Sequence, residues 1–173
     1  MTTPPVDDRA AVLAAFAKSI FAKAEVLSRS TLPATYRARV REAVSDDLKK
    51  VSNLAIPEVS RAALLEARRL GINLFEKTWH DQPSFDEGRE VFHLEHVRPV
   101  SALREECLLA ASVAEVLEVL ATKIRVAWIL KSEDVGLTSR GYRSNRPDPD
   151  QAYRAAEIEL VTEHAARDAK EGE

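Results

Sequence analysis

A carboxylate and a histidine stand side by side in the run Glu95-His96-Val97-Arg98-Pro99. A histidine exchanges its proton near neutral pH, and a carboxylate is a ligand for hard cations. The run closes a segment rich in β-branched and aromatic residues, which predicts a strand that ends at the proline. We therefore take the end of this strand as the candidate chemical site.

Side-chain alternation divides the predicted strand between two faces. One face carries Val91, His93, Glu95 and Val97, and the other carries Phe92, Leu94, His96 and Arg98. His93 is placed beside Glu95, where it is either an auxiliary ligand or a surface histidine. The same run also fits a buried polar cluster in which neighbouring carboxylates hydrogen-bond the histidines, and the sequence leaves that alternative open.

A second segment begins with RVAWILK at 125–131, whose nearly continuous apolar character predicts another strand. The residues Ser132, Glu133 and Asp134 then predict the cap and first turn of a helix. A loop rich in arginine follows and ends at Pro147. Between positions 123 and 146 six basic residues stand against two acidic ones, although the net charge of the chain is −3. This excess predicts either solvated surface or a local surface for nucleic acid or an acidic partner.

The order of these segments resembles the HNH (ββα-metal) nucleases over residues 90–147, because the Glu95–Pro99 run is similar to the Asp-His-Ile-x-Pro signature of that family. The resemblance implies that His96 is the general base and that Glu95 ligates a divalent cation, Mg²⁺ or Mn²⁺. It places Asp134, or Glu133 beside it, as the second ligand. The predicted nucleic-acid surface consists of Arg98, Lys131, Arg140, Tyr142, Arg143 and Arg146.

Helical periodicity dominates the first seventy residues. Apolar residues recur every three or four positions in 7–30 and 33–54, and a third helix is predicted from Pro57, closed by Gly71. Ser112 with Glu115 predicts a capping box for a later helix. The competing hypothesis is a non-catalytic interaction protein, an adaptor or inhibitor, whose helices 7–30 and 33–54 bind a protein partner.

The whole chain is expected to form one α+β domain in which helix predominates: an N-terminal helical array, 7–70, packed on a small two- or three-stranded sheet within 72–160. Residues 1–6 are expected to be a disordered lead and 162–173 a charged tail. Cys107, the only cysteine, is expected to fill the core, and one thiol agrees with a reducing compartment. No apolar run is long enough to span a membrane, so we expect a cytoplasmic protein without membrane partners.

Overall fold

The computed structural model describes residues 6–171. The chain divides into two compact units, each built from two stretches of sequence. Among the described residues, the helical unit combines 6–54 with Val100–Ile124, and the sheet unit combines Ala55–Pro99 with 125–171. The predicted lead at 1–6 lies outside the described residues except for Val6, where the first helix begins.

The helical unit consists of four helices: α1 (Val6–Leu27), α2 (Ala34–Ser52), α4 (Val100–Leu109) and α5 (Val113–Thr122). The apolar stripe of α1 is buried at Leu13, Ile20 and Leu27, as its periodicity predicts. The predicted stripe of α2 is confirmed only in its second half, because Tyr36 is 63% exposed. The capping box is present, since Oγ of Ser112 accepts from the N–H of Glu115 at 3.2 Å.

The sheet unit holds four strands: β1 (Glu58–Ser60), β2 (Phe92–His96), β3 (Val126–Leu130) and β4 (Leu160–Val161). Their order across the sheet is β2-β3-β1-β4, so β2 is an edge strand. The pairs β2–β3 and β1–β4 are antiparallel, and β1 runs parallel to β3. The helices of this unit are α3 (Arg61–Arg69), α6 (Lys131–Ser139), α7 (Pro149–Ala155) and α8 (Glu163–Glu171).

The third helix does not begin at Pro57 as predicted. Residues 58–60 form β1 instead, because Val59 is fully buried and pairs with β3 on one side and β4 on the other. Ser60 is the N-cap of α3, and its hydroxyl accepts from the N–H of Ala63 at 3.1 Å. The predicted C-cap is confirmed, since Gly71 has φ +68° and the N–H of Ile72 bonds back to Ala67.

The predominantly helical α+β class is confirmed, and the sheet has four strands rather than two or three. The predicted division at Gly71 differs from the observed one. Residues 100–124 connect β2 to β3 and belong to the helical unit. The ends of β2 and β3 are neighbours, since the N–H of Val97 bonds to the carbonyl of Arg125 at 3.0 Å. The chain therefore leaves the sheet after β2 and returns at the same point. Residues 163–171 of the predicted tail form α8.

Two apolar clusters cover the two faces of the sheet. On the face that carries α3, the buried cluster consists of Val59, Ala63, Ala67, Leu74, Phe92 and Trp128. On the face that carries α6 and α7, it consists of Val97, Ala127, Ile129, Leu137, Tyr153 and Ile158. Alternation along β3 separates Trp128 from Ala127 and Ile129 in this way. These are called the α3 face and the α6 face below.

Candidate metal centre

Strand β2 presents His93 and Glu95 on the α6 face. Phe92 is in the buried cluster of the α3 face and Leu94 packs against it, whereas Val97 lies in the cluster of the α6 face. Because successive side chains of a strand alternate, His93 and Glu95 share the face of Val97. The predicted alternation is therefore confirmed for His93, Glu95 and Val97, but it is wrong for Val91, which precedes β2 and packs against the cluster of the α3 face.

Helix α6 brings Asp134 to the same place. The helix begins at Lys131, directly after β3, and its first turn contains Glu133 and Asp134. The carboxylate of Glu133 accepts from the N–H of Leu130 at 2.7 Å and from the hydroxyl of Ser60 at 2.6 Å. Glu133 thus caps the helix and ties it to β1, and it is not part of the cluster that Asp134 joins.

His93, Glu95 and Asp134 form a cluster in which one potential ligand atom of each residue lies within 4.8 Å of the others. Nε2 of His93 and Oε2 of Glu95 are 2.9 Å apart. The side chain of His93 is 34% exposed and that of Glu95 is 15% exposed, so the cluster is partly open to solvent. The structure brings together Glu95 and Asp134, two of the residues that the sequence nominated as ligands, and places with them His93, which was considered as an auxiliary ligand.

Arg146 holds the second oxygen of Glu95. Its Nη2 donates to Oε1, which leaves Oε2 turned towards His93. Burial alone would raise the pKa of Glu95, but the hydrogen bond from His93 and the charge and hydrogen bond of Arg146 outweigh it and lower that pKa below its ordinary value. The Glu95 carboxylate is therefore kept ionised although it is mostly buried.

The guanidinium of Arg146 also fastens the loop before α7 to the end of β2. It donates to the carbonyls of His96 at 2.9 Å and Val97 at 3.3 Å, and to those of Tyr142 and Arg143 in its own loop. The side chain is 1% exposed. Arg146, which was predicted to contact nucleic acid, is instead an internal residue, because its donors face protein acceptors.

Tyr153 of α7 lies in the field of the same cluster. Its side chain is buried in the apolar cluster of the α6 face, and the Arg146 guanidinium is 5.7 Å from the centre of its ring. The hydroxyl is buried and has no hydrogen-bond partner among the described residues. Burial, followed by the negative charge of Glu95, raises the pKa of Tyr153. The phenol therefore stays neutral beside Glu95.

His96 is not part of the cluster. By the alternation of β2 its side chain lies on the α3 face, with those of Phe92 and Leu94. The general base that the resemblance names is thus separated by the strand itself from Glu95, the residue beside it in sequence. Of the two histidines of β2, His93 is the one that meets the carboxylates.

The remaining residues of the predicted nucleic-acid surface are distributed between surface and interior. Lys131, Arg140 and Arg143 are exposed, whereas Arg98 is half-buried. Tyr142 is half-buried because its ring packs against the apolar cluster of the α6 face. Of the six nominated side chains, three are therefore fully at the surface, and those of Arg98, Tyr142 and Arg146 are partly or wholly buried.

The donor set of the cluster is compatible with a divalent cation. Ligand atoms on one cation lie about 2.9–3.4 Å apart when their bonds are about 2.1 Å long, and the His93–Glu95 spacing of 2.9 Å falls in that range. One imidazole nitrogen with two carboxylates suits Mn²⁺ at least as well as Mg²⁺, which prefers oxygen ligands. Three protein ligands leave coordination positions for water or substrate.

Comparison with protein-family models, with curated proteins and with solved structures found no match to this chain. Within the part of the chain that the structure describes, no helix is both long and apolar enough to cross a membrane.

Proposed function

We propose that this chain is a divalent-metal-dependent domain that hydrolyses phosphodiester bonds in nucleic acid. The observation that carries the proposal is the convergence of Glu95 and Asp134, which are far apart in sequence and were both nominated as ligands through the resemblance to HNH nucleases. His93 completes the donor set. His96 does not activate water in this proposal, because its side chain lies on the other face of β2.

In the proposed site, three side chains bind the cation and arginines orient its ligand and the substrate. His93, Glu95 and Asp134 hold the cation, and Arg146 keeps Glu95 ionised and aligned through its bond to Oε1. A bound cation supplies Lewis acidity, which makes a water molecule more acidic and offsets the charge that develops on the phosphate. Exposed Arg140 and Arg143 are available to hold the phosphate backbone.

The competing function is a non-catalytic interaction protein. The separation of His96 from Glu95 favours this non-catalytic function, because the two residues that resemble the nuclease signature lie on opposite faces of β2. Against it, the apolar stripe of α1 that was expected to bind a partner is buried within the helical unit, at Leu13, Ile20 and Leu27. That stripe stabilises the helical unit itself and is not presented to a partner.

The test is cleavage of supercoiled plasmid and of single-stranded RNA by purified protein, with Mn²⁺, with Mg²⁺ and with chelator. We expect cleavage with a cation and none with chelator. Asp134→Asn should lower the rate by a factor of about 100 or more, as expected for loss of a ligand of the catalytic cation. The matched control is Asp46→Asn, an exposed aspartate of α2, which should leave the rate unchanged. Equal cleavage by both variants, or in chelator, would exclude the proposed site.

A further inference from the structure

Trp79 and Arg89 form a stacked pair at the surface of the sheet unit. The Cζ atom of Arg89 lies 3.7 Å from the centre of the Trp79 ring, and His80 meets the indole edge-on at 5.3 Å between ring centres. The tryptophan is 44% exposed. The ring is therefore accessible to solvent beside the guanidinium that lies over it.

The segment that carries Arg89 is held in an unusual conformation by one buried carboxylate. Asp86 accepts from the N–H groups of Glu90 at 3.0 Å, Val91 at 3.1 Å and Phe92 at 2.9 Å. The side-chain amide of Gln82 donates to Asp86 at 3.0 Å and to the carbonyl of Phe92 at 2.7 Å. These bonds fasten the segment to the exposed edge of β2, one residue before the proposed ligand His93.

Within this segment Gly88 has φ +72° and Arg89 has φ +56°. A left-handed conformation is uncommon for a residue with a side chain, and it persists only where the surrounding structure imposes it. Here the bonds to Asp86 hold the residues directly after Arg89, and Cζ of Arg89 lies over the Trp79 ring. Glycine would adopt this backbone conformation with less strain than arginine does.

Arg89 is half-buried, with its guanidinium over the Trp79 ring. Among residues 6–171 the only interaction of this guanidinium is with the Trp79 ring, and no carboxylate or carbonyl accepts from its side-chain N–H groups. A guanidinium that is already fixed by stacking presents a rigid fork of donors, which fits a phosphate or a carboxylate. The exposed part of the indole next to it offers a surface on which a planar base stacks.

From this geometry we infer that Trp79 and Arg89 bind one nucleotide of an unpaired nucleic-acid strand, the base on the indole and its phosphate on the guanidinium. The class of ligand rests on the proposed function, since a peptide carboxylate would also fit the guanidinium alone. The segment that carries Arg89 leads directly into the strand that carries His93 and Glu95, and we expect the ligand of the pair to be single-stranded. A base inside a duplex is already stacked on its neighbours and cannot lie on Trp79.

The surrounding charges limit how the pair binds. Glu87 and Glu90 flank Arg89 in sequence, and Glu90 turns its side chain over Gly88. Arg89 is therefore expected to hold a single phosphate, and stacking is expected to carry most of the affinity. A plot of the logarithm of the affinity against the logarithm of the salt concentration has a negative slope. The contact of Arg89 with one phosphate of a single strand should contribute about −0.7 to that slope.

The experiment measures binding of labelled oligothymidylate and oligouridylate by fluorescence anisotropy, with a duplex of equal length as control, all in chelator. Trp79→Leu should weaken single-strand binding by about 5- to 100-fold, the range for loss of one stacked base. Arg89→Gly keeps the left-handed backbone and should weaken binding and reduce the salt slope by about 0.7.

Intrinsic fluorescence supplies a second readout. The chain has two tryptophans, and Trp128 is fully buried, so quenching by an oligonucleotide should come from Trp79 and disappear in Trp79→Leu. If both variants fold and bind oligonucleotides as the wild type does, the inference is wrong and the pair serves a protein partner or packing. Because cation is absent, this result is distinct from failure of cleavage. Cleavage that is unaffected by Trp79→Leu would overturn the inference and leave the proposed function standing.

Discussion

Nε2 of His93 and Oε2 of Glu95 face each other at 2.9 Å across one side of β2, and Oε1 of the same carboxylate is held by Arg146. One oxygen of the Glu95 carboxylate is thus bonded to the Arg146 guanidinium, and the other is bonded to His93. The hydrogen bond between His93 and Glu95 occupies the space that a metal ion would take. A cation bound at the proposed site would therefore replace the proton of this hydrogen bond, as is usual where ligands must be deprotonated.

Metal affinity should depend on His93 and not on His96. The two histidines are three positions apart on β2 and lie on opposite faces, so they form a matched pair of substitutions. We expect His93→Ala to weaken Mn²⁺ binding by about tenfold or more, and His96→Ala to leave it unchanged. Calorimetric titration with Mn²⁺ measures both. A larger effect of His96→Ala than of His93→Ala would mean that His96 belongs to the metal site, as the resemblance to HNH nucleases implies.

Mn²⁺ should also stabilise the fold by mass action. At a free concentration about 100 times Kd, a ligand that binds only the folded state adds about 2.7 kcal/mol to the free energy of unfolding. Thermal melts with and without Mn²⁺ should show a higher Tm for the wild type and no shift for Asp134→Asn. A shift of equal size in both proteins would place the ion elsewhere.

The stabilising effect of Glu95 should depend on pH. The pKa of Glu95 in the folded chain is lowered from its ordinary 4.5, since bonds from His93 and Arg146 outweigh burial. The ionised form therefore stabilises the fold above pH 4.5, and this contribution is lost as the pH falls through the lowered pKa. Urea unfolding of wild type and Glu95→Gln should differ most at neutral pH and converge in acid. A difference that does not change with pH would assign the effect to packing.

Asp86 should be among the most sensitive positions of the sheet unit. Asp86→Ala removes the acceptor of three backbone N–H groups and of the Gln82 amide, so we expect a loss of about 3 kcal/mol or more in the free energy of unfolding. Asp86→Asn keeps one acceptor oxygen and should lose less. Denaturant unfolding of the two variants measures this order, and equal losses would contradict it.

Cys107 should react slowly in the folded chain. The thiol is buried in α4, and burial raises its pKa to about 11 from 9.0. At pH 8 this shift in pKa lowers the thiolate fraction by about 100-fold. The reaction slows accordingly, because the thiolate is the reactive form. Reaction with a disulfide reagent should therefore be slow in buffer and fast in urea. Rapid reaction in buffer would show that α4 opens readily.

The sequence predicted the parts of this protein that local pattern determines. The strands β2 and β3, the C-cap at Gly71 and the faces of His93 and Glu95 follow from composition and alternation over a few residues. It did not predict β1, because a strand of three residues is too short to show an alternating pattern. The place of Val59 in the sheet depends on its pairing with Trp128 and Val161. Nor did it predict that Arg146 is internal, since its acceptors on β2 are some fifty positions away in the chain.

The order of the strands has a consequence for synthesis on the ribosome. Strand β2 pairs only with β3, and β1 pairs with β3 and β4, so neither β1 nor β2 has a partner until residues 126–130 have been made. Both must wait while the whole of 100–124 is translated. In the helical unit, by contrast, α1 and α2 are adjacent in sequence and can pair early. We therefore expect the nascent chain to gain protease resistance first in α1 and α2, and in the sheet only after β3 has left the exit tunnel.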